Sequence, residues 1–506
     1  MISLGGNFMN KKRLLYFVVF VIFISVSALA ACGDKTENNT DDIQKDTNGE
    51  TDIDSPASES EDDSDSRANY KDSLPDGLDF GGMEYRILTR SDNDNIFLNA
   101  EFAEEEIGDI VHDAVYKRQK LIEEKLNVTV KTSVTADTVS STKKSVNADD
   151  DIYDVVAGYS YFITPLALDG FFVNLSEFPY IDYEKPWWPD SITGHLNING
   201  KLYFATGDFT LSLIRAMHCI VFNKQVAQDF AVPNLYQTVR DGDWTLDKLE
   251  ETVKSVSRDV NGDGIWGIED IYGLATLSYD EYFPAFQLPM TETNGDGTLS
   301  IAVYNEKFVN AYNRMYEIAH STASYSIKSL LADRSQEQTL FREDRLLFNF
   351  VLLTDCEKYR DMESDFGILP HPKYDKTQDN YYTVSHDYYS LLCVPITADQ
   401  SRYQMIGAFT EAVAAEGYRM VTPAYFDVAL KNKYSRDDES FQILDMLAGQ
   451  ITFQPAIIYS GSLGNIGHLM RQIIYDVADI TSFYEKNLGT YEKAFNKFNE
   501  KFAGLD

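Results

Sequence analysis

The sequence is poor in the residues from which covalent and metal frameworks are built, with 4 cysteines and 7 histidines among 506 residues. Cys219, Cys356 and Cys393 follow no paired spacing. That excludes a disulfide scaffold or a zinc knuckle and suits small buried apolar side chains. Positive charge is also scarce: 44 Lys and Arg face 80 Asp and Glu, for a net charge of −36. Such a chain repels phosphate backbones, so nucleic acid is not an expected partner. No H-E-x-x-H, Gly-x-Ser-x-Gly elbow or phosphate loop occurs, and "SGSLGNIG" at 460–467 lacks the elbow's first glycine. A catalytic centre and a catalytic cofactor are therefore not expected.

Long apolar runs are limited to one, Leu14 to Ala28, which follows Lys11, Lys12 and Arg13 and precedes the small residues Ala30 and Ala31. A basic stretch, an apolar stretch and small residues in that order form a secretory leader. The run is shorter than the roughly 20 apolar residues of a comfortable bilayer span. Leu29-Ala30-Ala31-Cys32 resembles a bacterial lipobox. The resemblance implies a leader over 1–31 and a lipid on the Cys32 thiol, holding the protein to the outer face of the bacterial cell membrane. Acyl chains contribute about 0.8 kcal/mol per buried CH₂, so several on one residue anchor a domain without a spanning helix. From Gly33 to Tyr70, 13 acids stand against 3 cations. A stretch so polar cannot offset its ordering entropy, so 32–72 is expected to be a disordered acidic linker of about 35 Å span. Removing the three cations of the leader takes the charge from −36 to −39.

Residues 73–506 have the composition of a folded domain. The stretch from Phe80, about 425 residues, exceeds what one core holds, which predicts two lobes. The opening reads as β-α-β: a strand over Tyr85 to Leu88, a helix over Ile107 to Leu126, then "VTVKT" from Val128 to Thr132. Val111, Val115, Ile122 and Leu126 fall on one stripe of that helix, and Asn127 suits its C-cap. "YDVVAG" at 153–158 reads as a further buried strand. The alternation predicts an α/β lobe with a largely parallel sheet.

"WTLDKLEETVKSV" followed by "DVNGDG", then "RDMESDFGILPHPKYDK" with a later "CVPITA", and finally "PAYFDVALKNKYSRDDESFQILDML" resemble, in that order, segments of the lipid-anchored solute-binding proteins of bacterial ABC importers. The likeness runs from Tyr85 to the C-terminus and is to the sugar-receptor group. It implies a two-lobed periplasmic-binding-protein-like fold of type II, with hinge strands and a ligand cleft between lobes that close on binding. The lobes are expected at about 80–210 with 377–430, and about 211–376 with 431–506. Implied partners are a small solute, most simply a sugar, and the membrane permease; the protein is expected to act as a monomer.

In open α/β sheets ligands bind beyond the carboxyl ends of strands. Polar and aromatic groups follow candidate strands here, as a sugar requires: rings cover its C–H faces, and polar side chains satisfy its hydroxyls. The candidates are Arg90, Tyr159 and Tyr161, Asp208, Tyr279 and Tyr282, Asn349, and His386 with Tyr388. Trp187 and Trp188 in "KPWWP" are read as packing residues. Asp259, Asn261, Asp263 and Asp270 occupy positions 1, 3, 5 and 12 of an EF-hand-like loop, with the Ile265 carbonyl at position 7. Their spacing suits a structural Ca²⁺, although Asp replaces the usual Glu at position 12. "ETNGDGT" at 292–298 reads as a hairpin turn. Tyr484, Leu488, Tyr491, Phe495, Phe498 and Phe502 mark one helix face, interrupted at Gly489 and Thr490. The functions these features allow are solute capture, glycoside hydrolysis by paired carboxylates, or glycan adhesion.

Overall fold

In the computed structural model, residues 67–90, 96–97, 100–430 and 438–505 are described. The expected leader, Cys32 and nearly all of the acidic linker lie outside the described residues. Ten strands occur among the described ones: β1 (Met83–Arg90), β2 (Val128–Thr135), β3 (Val155–Tyr159), β4 (His218–Asn223), β5 (Tyr272–Ala275), β6 (Thr291–Thr293), β7 (Leu299–Ile301), β8 (Leu346–Leu352), β9 (Phe366–Leu369) and β10 (Ser390–Cys393).

In β1, Tyr85, Ile87 and Leu88 are almost wholly buried, as a strand covered on both faces demands. It pairs in parallel with β2 on one side and β3 on the other. A late strand, β10, closes the far side of β3 in the antiparallel sense, giving the order β10-β3-β1-β2. The second sheet is mixed, ordered β5-β8-β4-β9: β5 and β8 are parallel, and β4 runs antiparallel to both β8 and β9. Each sheet is the centre of one lobe. The pair β6–β7 is the expected hairpin, closed by Asn294 N–H donating to the Thr298 carbonyl.

Helix α1 (Ile110–Leu126) buries Val111, Val115, Ile122 and Leu126, the stripe seen in the sequence. It begins at Ile110 rather than Ile107 because the Asp109 carboxylate accepts the amides of Val111 and His112. Asn127 ends it in the left-handed region at φ 50°. Helices α2 (Thr138–Ala148) and α3 (Ser160–Leu168) follow β2 and β3.

The chain passes between lobes along two strands that touch. Met217 and Ser385 form an antiparallel bridge. His218 N–H donates to the Val384 carbonyl at 3.0 Å, and His386 N–H donates to Ala216 at 2.8 Å. The Thr383 hydroxyl reaches the His218 carbonyl, and that of Ser385 reaches Leu213, both at 2.8 Å. His218 and His386 thus sit side by side where the lobes meet.

Two segments depart from expectation. The C-terminal helix is continuous from Ile480 to Ala503. Gly489 has open space around it, so nothing there forces a break. The helix also touches both lobes rather than one. Tyr484 stacks on Tyr304 at 4.4 Å, whereas Lys501 pairs with Asp169 at 2.6 Å and Phe502 meets Tyr203. At the other end, Arg67 to Tyr70 are folded rather than free. Arg67 lies 4.1 Å from the Tyr418 ring and pairs with Asp445 at 2.7 Å. A cation stacked on a ring and paired with a carboxylate overcomes the local polarity that made this stretch read as linker.

The cysteines Cys219, Cys356 and Cys393 are free and buried. Trp187 and Trp188 are buried and donate to the two oxygens of Glu411 at 3.0 and 2.9 Å. Burial raises the Glu411 carboxyl to about 7 despite those bonds. Glu411→Ala would strand two indole N–H groups and is expected to cost about 3 kcal/mol in denaturant unfolding, since a buried orphaned donor costs roughly 1–3 kcal/mol.

Candidate ligand cleft

The carboxyl ends of β1, β2 and β3 open onto a cavity of about 470 Å³ lined by Arg90, Ala136 to Ser140, Tyr159 and Phe162. The Arg90 guanidinium lies against two adjacent rings, 4.7 Å from Phe97 and 4.6 Å from Tyr159, whose centroids are themselves 5.9 Å apart. Phe162, at the start of α3, is 55% exposed and meets Tyr159 edge-on at 4.8 Å. Tyr388, on the hinge strand, is 38% exposed and continues the surface, 5.1 Å from Tyr159 and 4.7 Å from His386. A wet aromatic wall therefore runs from the first lobe to the hinge.

Across the hinge, the ends of β5 and β8 and the start of β4 border a second cavity of about 220 Å³. His218, Ser278, Asp280, Arg334, His386 and Arg471 are among its lining residues. Its floor is an ion cluster. His468 lies 3.1 Å from Asp280 through Nδ1 and 3.1 Å from Asp387 through Nε2. Arg471 approaches the same two carboxylates, at 2.9 and 3.4 Å, and Asp280 also accepts the Arg471 amide at 3.1 Å. His386 Nδ1 lies 2.8 Å from Asp387. Burial works to raise Asp387, but the imidazoles of His386 and His468 outweigh it and hold the carboxyl well below its usual range. Burial likewise works to lower His468, and its two carboxylates outweigh it and raise the imidazole. His218 differs: burial lowers it to about 3, so it stays neutral. Asp280 and Asp387, shared by His468 and Arg471, tie the loop after β5 and the hinge strand to the C-terminal segment.

The structure brings Arg90, Tyr159, Tyr388 and His386 to this surface. Tyr161 lies beside it, its hydroxyl donating to Asn465 at 3.1 Å and its ring 5.8 Å from His468. Other candidates sit inside the lobes. Asp208 is packed behind α1, where its backbone carbonyl leaves no room for a Cβ on Gly417, its side chain accepts the Thr422 hydroxyl, and burial raises its carboxyl to about 6. Asn349 donates to the Tyr359 hydroxyl at 2.9 Å within the second sheet. Tyr279 and Tyr282 are buried, while their neighbours Ser278 and Asp280 face the cavity. Sequence reasoning missed Phe162, Asp280, His468 and Arg471. The last two follow the glycine-rich 460–467 segment, whose only legible signal was a failed nucleophile elbow.

The 259–270 loop lies apart from the cleft and is closed on itself. Asp259 accepts the amides of Gly262 and Gly264, and Asp270 accepts those of Val260 and Gly267, all within 2.9 Å. The Asp263 carboxylate accepts Ile265 N–H, and Asn261 accepts Asp263 N–H. Among the described residues no three His, Cys, Asp or Glu side chains gather as a metal-holding group.

Two hinge-joined lobes with a cleft at their strand ends have solved counterparts. The maltose-binding periplasmic protein of Listeria monocytogenes, solved with maltose, aligns at a TM-score of 0.52 and 12% identity over 83% of this chain and 98% of its own. A sugar transporter component of Rhizobium etli in an open conformation gives 0.52 and 15% over 83% and 100%. An ABC substrate-binding protein of Listeria monocytogenes in complex with cycloalternan gives 0.50 and 12% over 84% and 100%. This chain has the two-lobed solute-binding fold. No family model matches the sequence, and no curated protein matches it.

His468 gains its charge-stabilising partners on folding, so its contribution is complete below its unfolded pKa near 6.5 and fades as pH rises through the elevated folded value. The stability gap between the wild type and His468→Gln, about 1–3 kcal/mol by analogy with charge-assisted hydrogen bonds, is expected to be widest below pH 6.5 and to narrow above it. Unfolding curves across pH 5–9 check this. In proton NMR, His468 is expected to titrate above its ordinary value, and His218 to remain neutral throughout.

Proposed function

We propose that this protein is the extracellular solute-receptor subunit of an ABC importer, that its solute is a carbohydrate, and that it captures the solute by closing its lobes without chemical change. The observation that carries the reading is the exposed aromatic wall of Phe162 and Tyr388 at a hinge-joined cleft. The two rings are exposed together at the cleft, and flat rings match the C–H faces of a pyranose. The ion cluster at the floor supports it with carboxylates and N–H groups able to meet hydroxyls. Two of the proteins with this fold were solved in complex with maltose and with cycloalternan.

The finer parts of the proposal rest on the sequence. The lipobox-like segment supports a diacylglycerol on Cys32, with the acidic linker lifting the receptor off the outer face of the membrane. Among the described residues no helix is long and apolar enough to cross a membrane. Delivery of the closed, monomeric receptor to a permease follows from the same reading. A structural Ca²⁺ in the loop of Asp259, Asn261, Asp263, Ile265 and Asp270 is a separate proposal, supported by ligand spacing alone; a calcium-dependent rise in melting temperature that Asp259→Asn abolishes would establish it.

A thermal-shift screen of the soluble domain against saccharides, peptides and amino acids tests the main reading. A solute at 100 times its Kd is expected to stabilise the native state by about 2.7 kcal/mol. Recovery of an intact saccharide from the stabilised protein supports the receptor; cleavage would identify a hydrolase, and binding without compaction in small-angle scattering an adhesin. Phe162→Ala and Tyr388→Ala are expected to weaken saccharide binding about three- to tenfold each, the worth of one ring contact, with the melting temperature of the free protein little changed.

A further inference from the structure

We infer a second ligand site, separate from the cleft, that takes an uncharged saccharide. It is a cavity of about 480 Å³ where the first-lobe turn at 194–195, the second-lobe stretch 284–293 and the chain crossing between lobes meet. That volume lies within the roughly 300–1,000 Å³ of small-molecule sites. The cavity shares no lining residue with either cavity of the cleft, so the inference goes beyond the receptor reading and does not depend on which solute the cleft takes. One wall comes from a third segment that lies against the hinge strands: Thr383 N–H donates to the Gln450 carbonyl at 3.2 Å, and Thr452 N–H to the Thr383 carbonyl at 2.9 Å. This segment is extended and alternates, burying Ile451 and Phe453 while Thr452 and Gln454 line the cavity. Both lobes hold it in place. From the first, the Ser191 hydroxyl accepts Phe453 N–H at 3.1 Å, and His195 Nδ1 lies 2.8 Å from the Phe453 carbonyl. From the second, the Leu288 carbonyl accepts Gln454 Nε2 at 3.3 Å. Strand β6 adds Thr291 and Thr293, which share one face, with Glu292 on the other.

These bonds fix what the cavity offers a ligand. A carbonyl only accepts, so the ring proton of His195 sits on Nδ1 and Nε2 is left for another partner. The Gln454 amide spends its nitrogen on Leu288 and keeps its oxygen. Gln287, also on the lining, is held in the left-handed region at φ 50° by its N–H donating to the Pro284 carbonyl at 2.9 Å. That conformation is unfavourable for a residue with a Cβ, and such strain gathers at ligand-binding sites. Three threonine hydroxyls and two amides therefore border a surface made by three prolines, Leu288 and the ring of half-buried Tyr382. Sugar hydroxyls need the first set, and sugar C–H faces suit the second. Among the described residues no Asp, Glu, Lys or Arg lines the cavity, in a chain of which 25% are charged. A carboxylate, phosphate or ammonium would lose hydration there without gaining a counter-ion, which is costly. An acyl chain would strand the hydroxyls and amides instead. A neutral saccharide meets both conditions.

Hydrogen exchange read by mass spectrometry on the full chain locates the site, with maltose and cellobiose as neutral probes and galacturonate and glucosamine as charged ones. A neutral disaccharide is expected to slow exchange in 284–293 and 450–455, and the charged sugars are not. Thr293→Arg, a change at an exposed position that brings a charged side chain to the cavity, is expected to remove that protection with the melting temperature unchanged. Tyr382→Ala is expected to weaken the disaccharide about three- to tenfold, the worth of one ring contact; should it misfold, the Thr293 variant tests the same point. In a Phe162→Ala, Tyr388→Ala double variant the protection is expected to persist, because closure over the cleft cannot then be its cause. No protection of 284–293 and 450–455 by either disaccharide, protection that survives Thr293→Arg or is lost in the double variant, or an equal response to galacturonate or glucosamine would overturn the site. Protection confined to 136–140 and 159–162 would overturn it while leaving the receptor reading intact. Protection of 284–293 and 450–455 alone would uphold it and overturn the saccharide assignment of the cleft.

Discussion

The pairing of two crossing strands at Met217 and Ser385 is the constraint on which the rest of this structure depends. Where the lobes exchange chain, each backbone donor and acceptor must find a partner or be hydrated. Here they find each other, through His218 to Val384 and His386 to Ala216, and the hydroxyls of Thr383 and Ser385 meet two more carbonyls. The same bonds decide which side chains face the cleft. His218 begins β4 and His386 precedes β10, so the two sheets are joined at the point where their ligand-facing ends converge. A hinge of this kind resists shear, because sliding would break the bridge, and allows bending about the paired residues.

Around that point the protein separates two kinds of surface. Toward the first lobe lies an aromatic wall against which the Arg90 guanidinium rests, 4.6 Å from the Tyr159 ring. Toward the C-terminal segment lies a cluster of charges, in which His468 and Arg471 share Asp280 and Asp387. The floor also binds a late part of the chain to the hinge. Together with the C-terminal helix, which touches both lobes, it makes the last 50 residues part of the mechanical frame rather than an appendage to one lobe.

Buried polar groups show the cost of holding this frame. Glu411 accepts from two tryptophans, Asp208 sits half-buried behind α1, and burial pushes both carboxyls up. Each rewards a specific arrangement of elements distant in sequence. Asp208 joins the segment after β3 to Thr422, and Glu411 joins residues 187 and 188 to a helix more than 200 residues later. Such bonds contribute modestly when made and cost more when one partner is lost. They specify the packing more than they add to its stability.

The sequence by itself determined the local elements. The β-α-β opening, the stripe of α1, the Asn127 cap, the hairpin at 292–298 and the packing role of Trp187 and Trp188 follow from periodicity and turn chemistry, which act over a few residues and can be read in order. It also carried Arg90, Tyr159, His386 and Tyr388 to the cleft, because residues after a strand in an α/β sheet lie at its ligand-facing end. Tertiary structure alone decided the rest. Whether Tyr279 or Asp280 faces the cavity depends on a rotation of the loop after β5 that no spacing encodes. His468 and Arg471 join the floor from a segment 80 residues beyond the hinge strand, and Asp208 and Asn349 are enclosed by helices packed from elsewhere. Burial and ion pairing are properties of what the folded chain places nearby, and a linear sequence states only what each residue can offer.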